Sequence, residues 1–147
     1  MKNTDRADNA VACFKEGFAC SQAVLSSFTD DFGLDKNVAL KLASGFGGGM
    51  GRTGHRCGAV TGAYMVLGLK HGAISAQDKP SKEHTYQLIR EFNERFAARN
   101  KTITCRKLLN CDISTPDGLE EAKQKGLFTT LCPQLVRDAV EILEEIL

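Results

Sequence analysis

Residues 45–62 read Gly45-Phe-Gly-Gly-Gly-Met-Gly-Arg-Thr-Gly-His-Arg-Cys57-Gly-Ala-Val-Thr-Gly62, a glycine-rich loop that delivers a cysteine to the start of an apolar segment. Gly45, Gly47, Gly48, Gly49, Gly51 and Gly54 fall within ten consecutive residues, and backbone without Cβ atoms can take positive φ and approach other atoms closely. From Cys57 to Leu69 no side chain is charged. Gly58 and Gly62 stand four apart, on one helical face, where a missing side chain admits a neighbouring backbone. The segment reads as a buried central helix with Cys57 at its N-terminus. A helix that is apolar all round needs neighbours on every side.

Upstream, Val38, Leu42, Ala43 and Phe46 form the stripe of a helix capped by Asp35, with Gly33 stopping the helix before it. That earlier helix starts near Cys20 and places Val24, Phe28 and Phe32 on the side of the thiol. The first helix, capped by Thr4 or Asp5, has Ala7, Val11, Phe14 and Phe18 on one face and ends around Gly17 and Phe18. Cys13 lies off that stripe with Ala10 and Gly17, a row of small residues suited to a close helix contact. Downstream, the central helix ends around Lys70, His71 and Gly72. A long amphipathic helix then runs from about Ser81 to Arg99, with Tyr86, Ile89, Phe92 and Phe96 inward and the charges of Arg90, Glu91, Arg95 and Arg99 in water. Thr104 caps a short helix, Cys105 to Leu109. Thr115-Pro116 starts another, which Gly126 stops. Pro133 suits the first position of the last helix, just after Cys132, and Leu135, Ala139, Ile142 and Ile146 alternate along it with Val136, Val140, Leu143 and Leu147. No segment alternates with period two, so the expected fold is all-α. It is a compact single-domain bundle of about six or seven helices around the helix beginning near Cys57, with residues 1–147 as one four-cysteine helical domain.

The chain has 147 residues and six cysteines, Cys13, Cys20, Cys57, Cys105, Cys111 and Cys132. A domain of this size buries roughly 68–70 % of the surface its unfolded chain exposes, so it needs no disulfide staples, and the cysteines call for another explanation. Nineteen basic residues balance eighteen acidic ones, with no tryptophan and no basic run, which excludes the electrostatic footprint of a nucleic-acid binder. The N-terminus lacks an apolar signal core, and no uncharged stretch reaches the ~20 residues a membrane span requires. A cytoplasmic protein with reduced thiols is expected. Charge near zero and the apolar last helix point to a homodimer.

Cys20, Cys57, Cys105 and Cys132 each fall at or beside an expected helix N-terminus. Cys13 and Cys111 do not. Unpaired N–H groups and the partial positive charge there favour thiolate. The spacings are long and irregular, with no Cys-x-x-Cys pair, and match no zinc-finger, ferredoxin or thioredoxin pattern. The same four residues carry a resemblance that spans nearly the whole chain. Cys20-Ser-Gln-Ala-Val, Leu42-Ala-Ser-Gly-Phe-Gly-Gly-Gly-Met-Gly-Arg52, Cys57-Gly-Ala-Val-Thr-Gly62, Cys105-Arg-Lys-Leu-Leu and Cys132-Pro together resemble the redox-active family named for its four-cysteine motif, C_GCAxxG_C_C. The resemblance implies that these are the four motif cysteines. It also implies a redox role beside an oxidoreductase or transporter-associated partner. Some members carry a twin-arginine export signal, which implies a prosthetic group such as an iron–sulfur cluster; this chain shows no such signal.

Three function classes follow. In the first, Cys20, Cys57, Cys105 and Cys132 hold an iron–sulfur cluster or other metal, or act as redox dithiols, and pass electrons to a partner. His55, two residues before Cys57, is a further candidate ligand. In the second, the four thiolates hold a structural zinc. In the third, the glycine-rich loop binds a small ligand or anion through Gly47, Gly48, Gly49, Gly51 and Arg52, with Arg56 adding charge. The phosphate reading of that loop lacks the Gly-x-x-x-x-Gly-Lys signature and a preceding strand.

Overall fold

A computed structural model describes residues 4–147. Its elements are α1 (Thr4–Lys15), α2 (Cys20–Ser26), a 3-10 turn (Thr29–Phe32), α3 (Lys36–Ala43), a second 3-10 turn (Ser44–Phe46), the short α4 (Gly47–Met50), α5 (Gly58–His71), α6 (Lys79–Asn100), α7 (Cys105–Leu109), α8 (Pro116–Gln124) and α9 (Leu127–Ile146). The fold is all-α. Among the described residues the only extended pairing is one isolated antiparallel bridge, Arg56 to Thr104.

The apolar segment after Cys57 is the central helix, α5, and Ala59, Val60, Ala63, Val66 and Leu67 are fully enclosed. Its small face lies on α2: a Cβ on Gly62 would stand 2.8 Å from the Ser21 carbonyl oxygen. That approach seats the start of α2 against the start of α5. The Ser21 hydroxyl, itself buried, donates to the Ala43 carbonyl at 2.7 Å and draws α3 onto the same face. Consequently Ala39 and Ala43 are the buried residues of α3, and Val38 and Leu42, expected inward, are exposed. The physical reason is distance, since α3 sits too close to α2 for large side chains between them.

Other boundaries also differ from expectation. Asp78 accepts the Ser81 N–H at 3.1 Å, so α6 begins at Lys79. Pro80 then falls in the first turn, where its missing N–H would have had no intrahelical partner. The buried stripe of α6 is Leu88, Phe92 and Phe96, while Tyr86 is exposed. The second helix stops at Ser26, where the Ser27 hydroxyl caps back onto the Val24 carbonyl at 2.7 Å. Both Thr4 and Asp5 already belong to α1, and the residues before them lie outside the described ones. Asp35 and Thr115 do cap, accepting the N–H groups of Val38 and Gly118 at 3.1 and 3.0 Å. The last helix starts at Leu127, six residues earlier than Pro133, with Gly126 in the left-handed conformation as its cap. Cys132 and Pro133 therefore lie inside α9, and Pro133 denies the Thr129 carbonyl its helical donor.

Both apolar rows of α9 are buried within the chain: Leu135, Val136, Ala139, Val140, Ile142 and Leu143 all belong to the core. Ile146 and Leu147, at the end of the same rows, are only partly buried against it. Arg99, expected in water, instead clamps α6 to α9, donating to Glu141 at 2.9 Å and to the buried Asp138 at 3.3 Å. Gln134 gives Asp138 a second donor at 3.0 Å. Removing the charge partner of a buried carboxylate is destabilising, so Arg99→Ala should lower unfolding free energy by about 1–3 kcal/mol, whereas Arg90→Ala should change it little. Urea titration of the two variants checks this. No helix among the described residues is long and apolar enough to cross a membrane.

Candidate functional site

The glycine loop does not stay extended. Gly48, Gly49, Met50, Gly51 and Arg52 all have φ between +63° and +72°, a left-handed turn of five consecutive residues. The Gly51 N–H closes it onto the Gly47 carbonyl at 2.9 Å. The Thr53 hydroxyl donates to the Gly49 and Met50 carbonyls at 2.7 and 2.8 Å. Such a turn costs an L-residue roughly 1–2 kcal/mol per position, which explains the run of glycines and leaves Met50 and Arg52 as the strained members. Beyond it, the chain pairs with the lead-in to α7. Cys57 N–H donates to the Ile103 carbonyl at 2.9 Å, Cys105 N–H to the His55 carbonyl at 2.6 Å, and Arg106 N–H to the Gly54 carbonyl at 3.0 Å. This short antiparallel pairing holds Cys57 beside Cys105.

The left-handed turn then closes over them. A Cβ on Gly49 would lie 2.7 Å from the Cβ of Cys105, and one on Gly58 would lie 3.3 Å from the Cβ of Cys20. Cys20 is the first residue of α2, Cys57 caps α5, and Cys105 is the first residue of α7. Cys132 enters from within α9. The four thiols line one cavity of about 90 Å³, walled by Phe14, Leu108, Ile113, Phe128 and Leu135 together with Gly48, Gly49 and Gly58. No other side chain in its wall carries a nitrogen, oxygen or sulfur atom. It sits at a seam: Cys57 belongs to the main core, Cys105 and Cys132 to a smaller one, and Cys20 packs against both.

The electrostatics of the cavity overturn the expectation from helix ends. The N–H groups of Ala59 and Val60 at the start of α5 favour the Cys57 thiolate, yet burial pushes its thiol up to about 12. Burial likewise raises Cys105 to about 11, and the nearby Arg106 only partly offsets it. Desolvation of a charge in an apolar cavity outweighs a partial charge at a helix terminus. The neighbouring Cys132 thiol raises Cys20 well above the usual thiol range, with burial adding to it, while Cys20 lowers Cys132. All six cysteines are free thiols.

The remaining candidates lie elsewhere. His55 is exposed, its Nδ1 3.3 Å from the Thr53 hydroxyl, and it does not line the cavity. Its contribution is the carbonyl that holds Cys105. Cys13 Sγ rests 3.7 Å from the Ser26 hydroxyl, a contact between α1 and α2. Cys111 is buried in the smaller core, away from the cavity wall. Arg56 donates to the Tyr64 hydroxyl at 2.8 Å. Gly47, Gly48, Gly51 and Arg52 line a separate, open cleft on the other side of the turn, whereas Gly49 lines the thiol cavity alone. Among the described residues, no group of three or more His, Cys, Asp or Glu is gathered closely enough to hold a single metal ion. The aromatic and aliphatic wall, Phe14, Leu108, Ile113 and Phe128, was not visible in the sequence as part of a site, because it is assembled from four separate segments.

No curated protein and no solved structure matches the chain. A family model described as "Putative redox-active protein (C_GCAxxG_C_C)" matches residues 18–146, a span that takes in all four cysteines of the cavity. With nearly its whole length matched and its thiols brought to one place, the chain belongs to the C_GCAxxG_C_C redox-active family.

Proposed function

We propose that Cys20, Cys57, Cys105 and Cys132 form one redox centre that exchanges electrons with a partner oxidoreductase, and that the group they hold is an iron–sulfur cluster. The observation that carries this reading is the cavity wall, in which four thiols from four elements are the only heteroatom-bearing side chains. Four soft thiolates are the donor set such clusters require, and a bound cluster supplies a one-electron couple. A lone tetrahedral zinc is less well served, because it needs its sulfurs about 2.3 Å from one point and the thiols are distributed around a cavity rather than gathered on a point.

The chain's own part is to exclude water and hold the ligands ready. Because Cys57 and Cys105 stay protonated well above neutrality, their protons leave to solvent only when a cationic group takes their place, and loading is coupled to proton release. The Ala59 and Val60 N–H groups then stabilise the Cys57 thiolate.

The neighbouring Cys20 and Cys132 thiols of the cavity wall, which shift each other's acidity, favour a second reading. These two thiols would be oxidised to a disulfide, releasing two electrons and two protons to an acceptor, with Cys132 as the attacking thiolate. Protein made and purified without oxygen distinguishes the two. The cluster reading expects brown protein containing iron and acid-labile sulfide, both lost on changing any of the four cysteines to serine and both kept in Cys13→Ser and Cys111→Ser. Colourless protein that forms a Cys20–Cys132 disulfide on mild oxidation, seen by peptide mass spectrometry, would replace it with the dithiol reading. Stoichiometric zinc without redox activity would remove both.

A further inference from the structure

On the far side of the wall from the thiols lies an open cleft of about 930 Å³. Phe14, Ala19, Gly48, Ile113 and Phe128 line both it and the thiol cavity, so the two adjoin. Three cations from three elements face this cleft: Lys15 at the end of α1, Arg52 at the end of the left-handed turn, and Lys123 in α8. Among the described residues no carboxylate lines it. Among the described residues none of the three is in an ion pair, although Arg6, Arg95, Arg99, Arg106 and Arg137 all pair with carboxylates.

The cleft's uncharged polar side chains are already committed. Gln22 accepts the Ala19 N–H and donates to the Leu40 carbonyl at 2.8 and 2.9 Å. Ser44 donates to the Lys41 carbonyl at 2.8 Å, and Thr129 to the Gly126 carbonyl at 2.9 Å. The three cations are therefore the polar groups left to meet a ligand. Beside them, Phe14, Phe18, Ile113, Leu119 and Phe128 supply apolar area. In a chain of nearly balanced charge, three convergent positive groups without a counter-charge in the same recess are a local excess, and a concave recess of this size with an apolar floor and few polar groups is what a small-molecule site requires.

We propose that this cleft binds an anionic organic molecule with an apolar body, its carboxylate, sulfonate or phosphate group held by Arg52, Lys15 and Lys123 and its hydrocarbon part lying on Phe14, Phe18 and Phe128. Binding does not depend on what the thiols hold. It places the ligand one wall away from them.

The test uses two fluorescent probes of nearly the same shape, 8-anilinonaphthalene-1-sulfonate and its uncharged relative N-phenyl-1-naphthylamine, on the full chain. The sulfonate should bind saturably, one per chain, and more tightly than the neutral probe. The pair of changes Arg52→Gln and Lys123→Gln should weaken the sulfonate about tenfold or more, as expected for losing two charge-assisted contacts, and leave the neutral probe within twofold. The pair Lys15→Gln and Lys123→Gln, at exposed helical positions, should act in the same direction and guards against a folding defect in the turn. Because the four cysteines are not involved, Cys57→Ala should bind the sulfonate as the wild type does, which keeps this outcome separate from that of the cluster test. Absence of a saturable site overturns the proposal. Equal affinity in the glutamine variants does so too, as does loss of binding on Leu42→Gln, which would place the probe on the exposed apolar face of α3.

Discussion

Alanine at position 49 will cost the protein a large part of its stability and its thiol site, while alanine at position 33 will cost markedly less. The two glycines have almost the same backbone, φ +68° at Gly49 and +64° at Gly33. Left-handed strain, about 1–2 kcal/mol for an L-residue, is therefore common to both. They differ in surroundings. A Cβ on Gly33 meets nothing within 4 Å, whereas one on Gly49 would lie 2.6 Å from the His55 nitrogen, 2.7 Å from the Cys105 Cβ and 2.8 Å from the Gly54 carbonyl carbon. Two of those atoms are backbone held by the pairing of residues 54–56 with 104–106, so they cannot swing aside. Overpacking of this kind adds about 1–3 kcal/mol, giving about 2–5 kcal/mol for Gly49→Ala against about 1–2 for Gly33→Ala, out of the roughly 5–15 kcal/mol typical of a domain. Guanidinium titration of both variants reads the difference. Relief of the clash also has to displace Cys105 from the cavity, so Gly49→Ala should lose any bound group even under conditions where it remains folded. Equal destabilisation by the two changes would mean that the turn does not close on Cys105 in solution.

That pairing of glycine with cysteine was half visible in the sequence. The uncharged run after Cys57 marks α5 because helix periodicity and the absence of charge are local properties. The starts of α2 and α7 were readable for the same reason. Cys132 was misplaced because Cys132-Pro133 carries a helix-start signal that the true start, at Gly126 and Leu127, overrides. The face of α3 was misread in part: ranking by hydrophobicity picks Val38 and Leu42 beside Ala43, but contact with Ser21 selects the small residues Ala39 and Ala43. The thiol acidities were read from helix ends alone, without the desolvation that a closed cavity imposes. Which four of six cysteines share a cavity was suggested by the motif. The wall around them, and the lysines that join Arg52 in the neighbouring cleft, come from segments more than a hundred residues apart and leave no local trace.

The buried thiols make the stability of the unloaded protein fall at alkaline pH. Cys57 has an ordinary value of 9.0 and is pushed up to about 12 in the folded chain, chiefly by burial. Between those values the unfolded chain has released its proton and the folded chain has not. The folded state then binds more protons, and unfolding free energy declines with rising pH by up to 1.36 kcal/mol per unit for this group. The contribution is whole below pH 9 and is lost as pH climbs toward 12. Summed to pH 11 it is about 2–3 kcal/mol from Cys57 alone. Cys105, raised to about 11, acts in the same direction, while Cys132 and Cys20 shift with opposite signs and partly offset each other. Lysine and tyrosine side chains titrate in the same range, so the measurement is a difference. Reduced, metal-free wild type and Cys57→Ala are titrated with urea at pH 8 and pH 11, and the gap between them should move by about 2–3 kcal/mol in favour of the variant. A gap independent of pH would show that water reaches Cys57 and that the cavity is not closed. In protein loaded with a group whose positive charge pairs the thiolates, the proton is already gone at neutral pH, and the alkaline decline attributable to Cys57 should vanish.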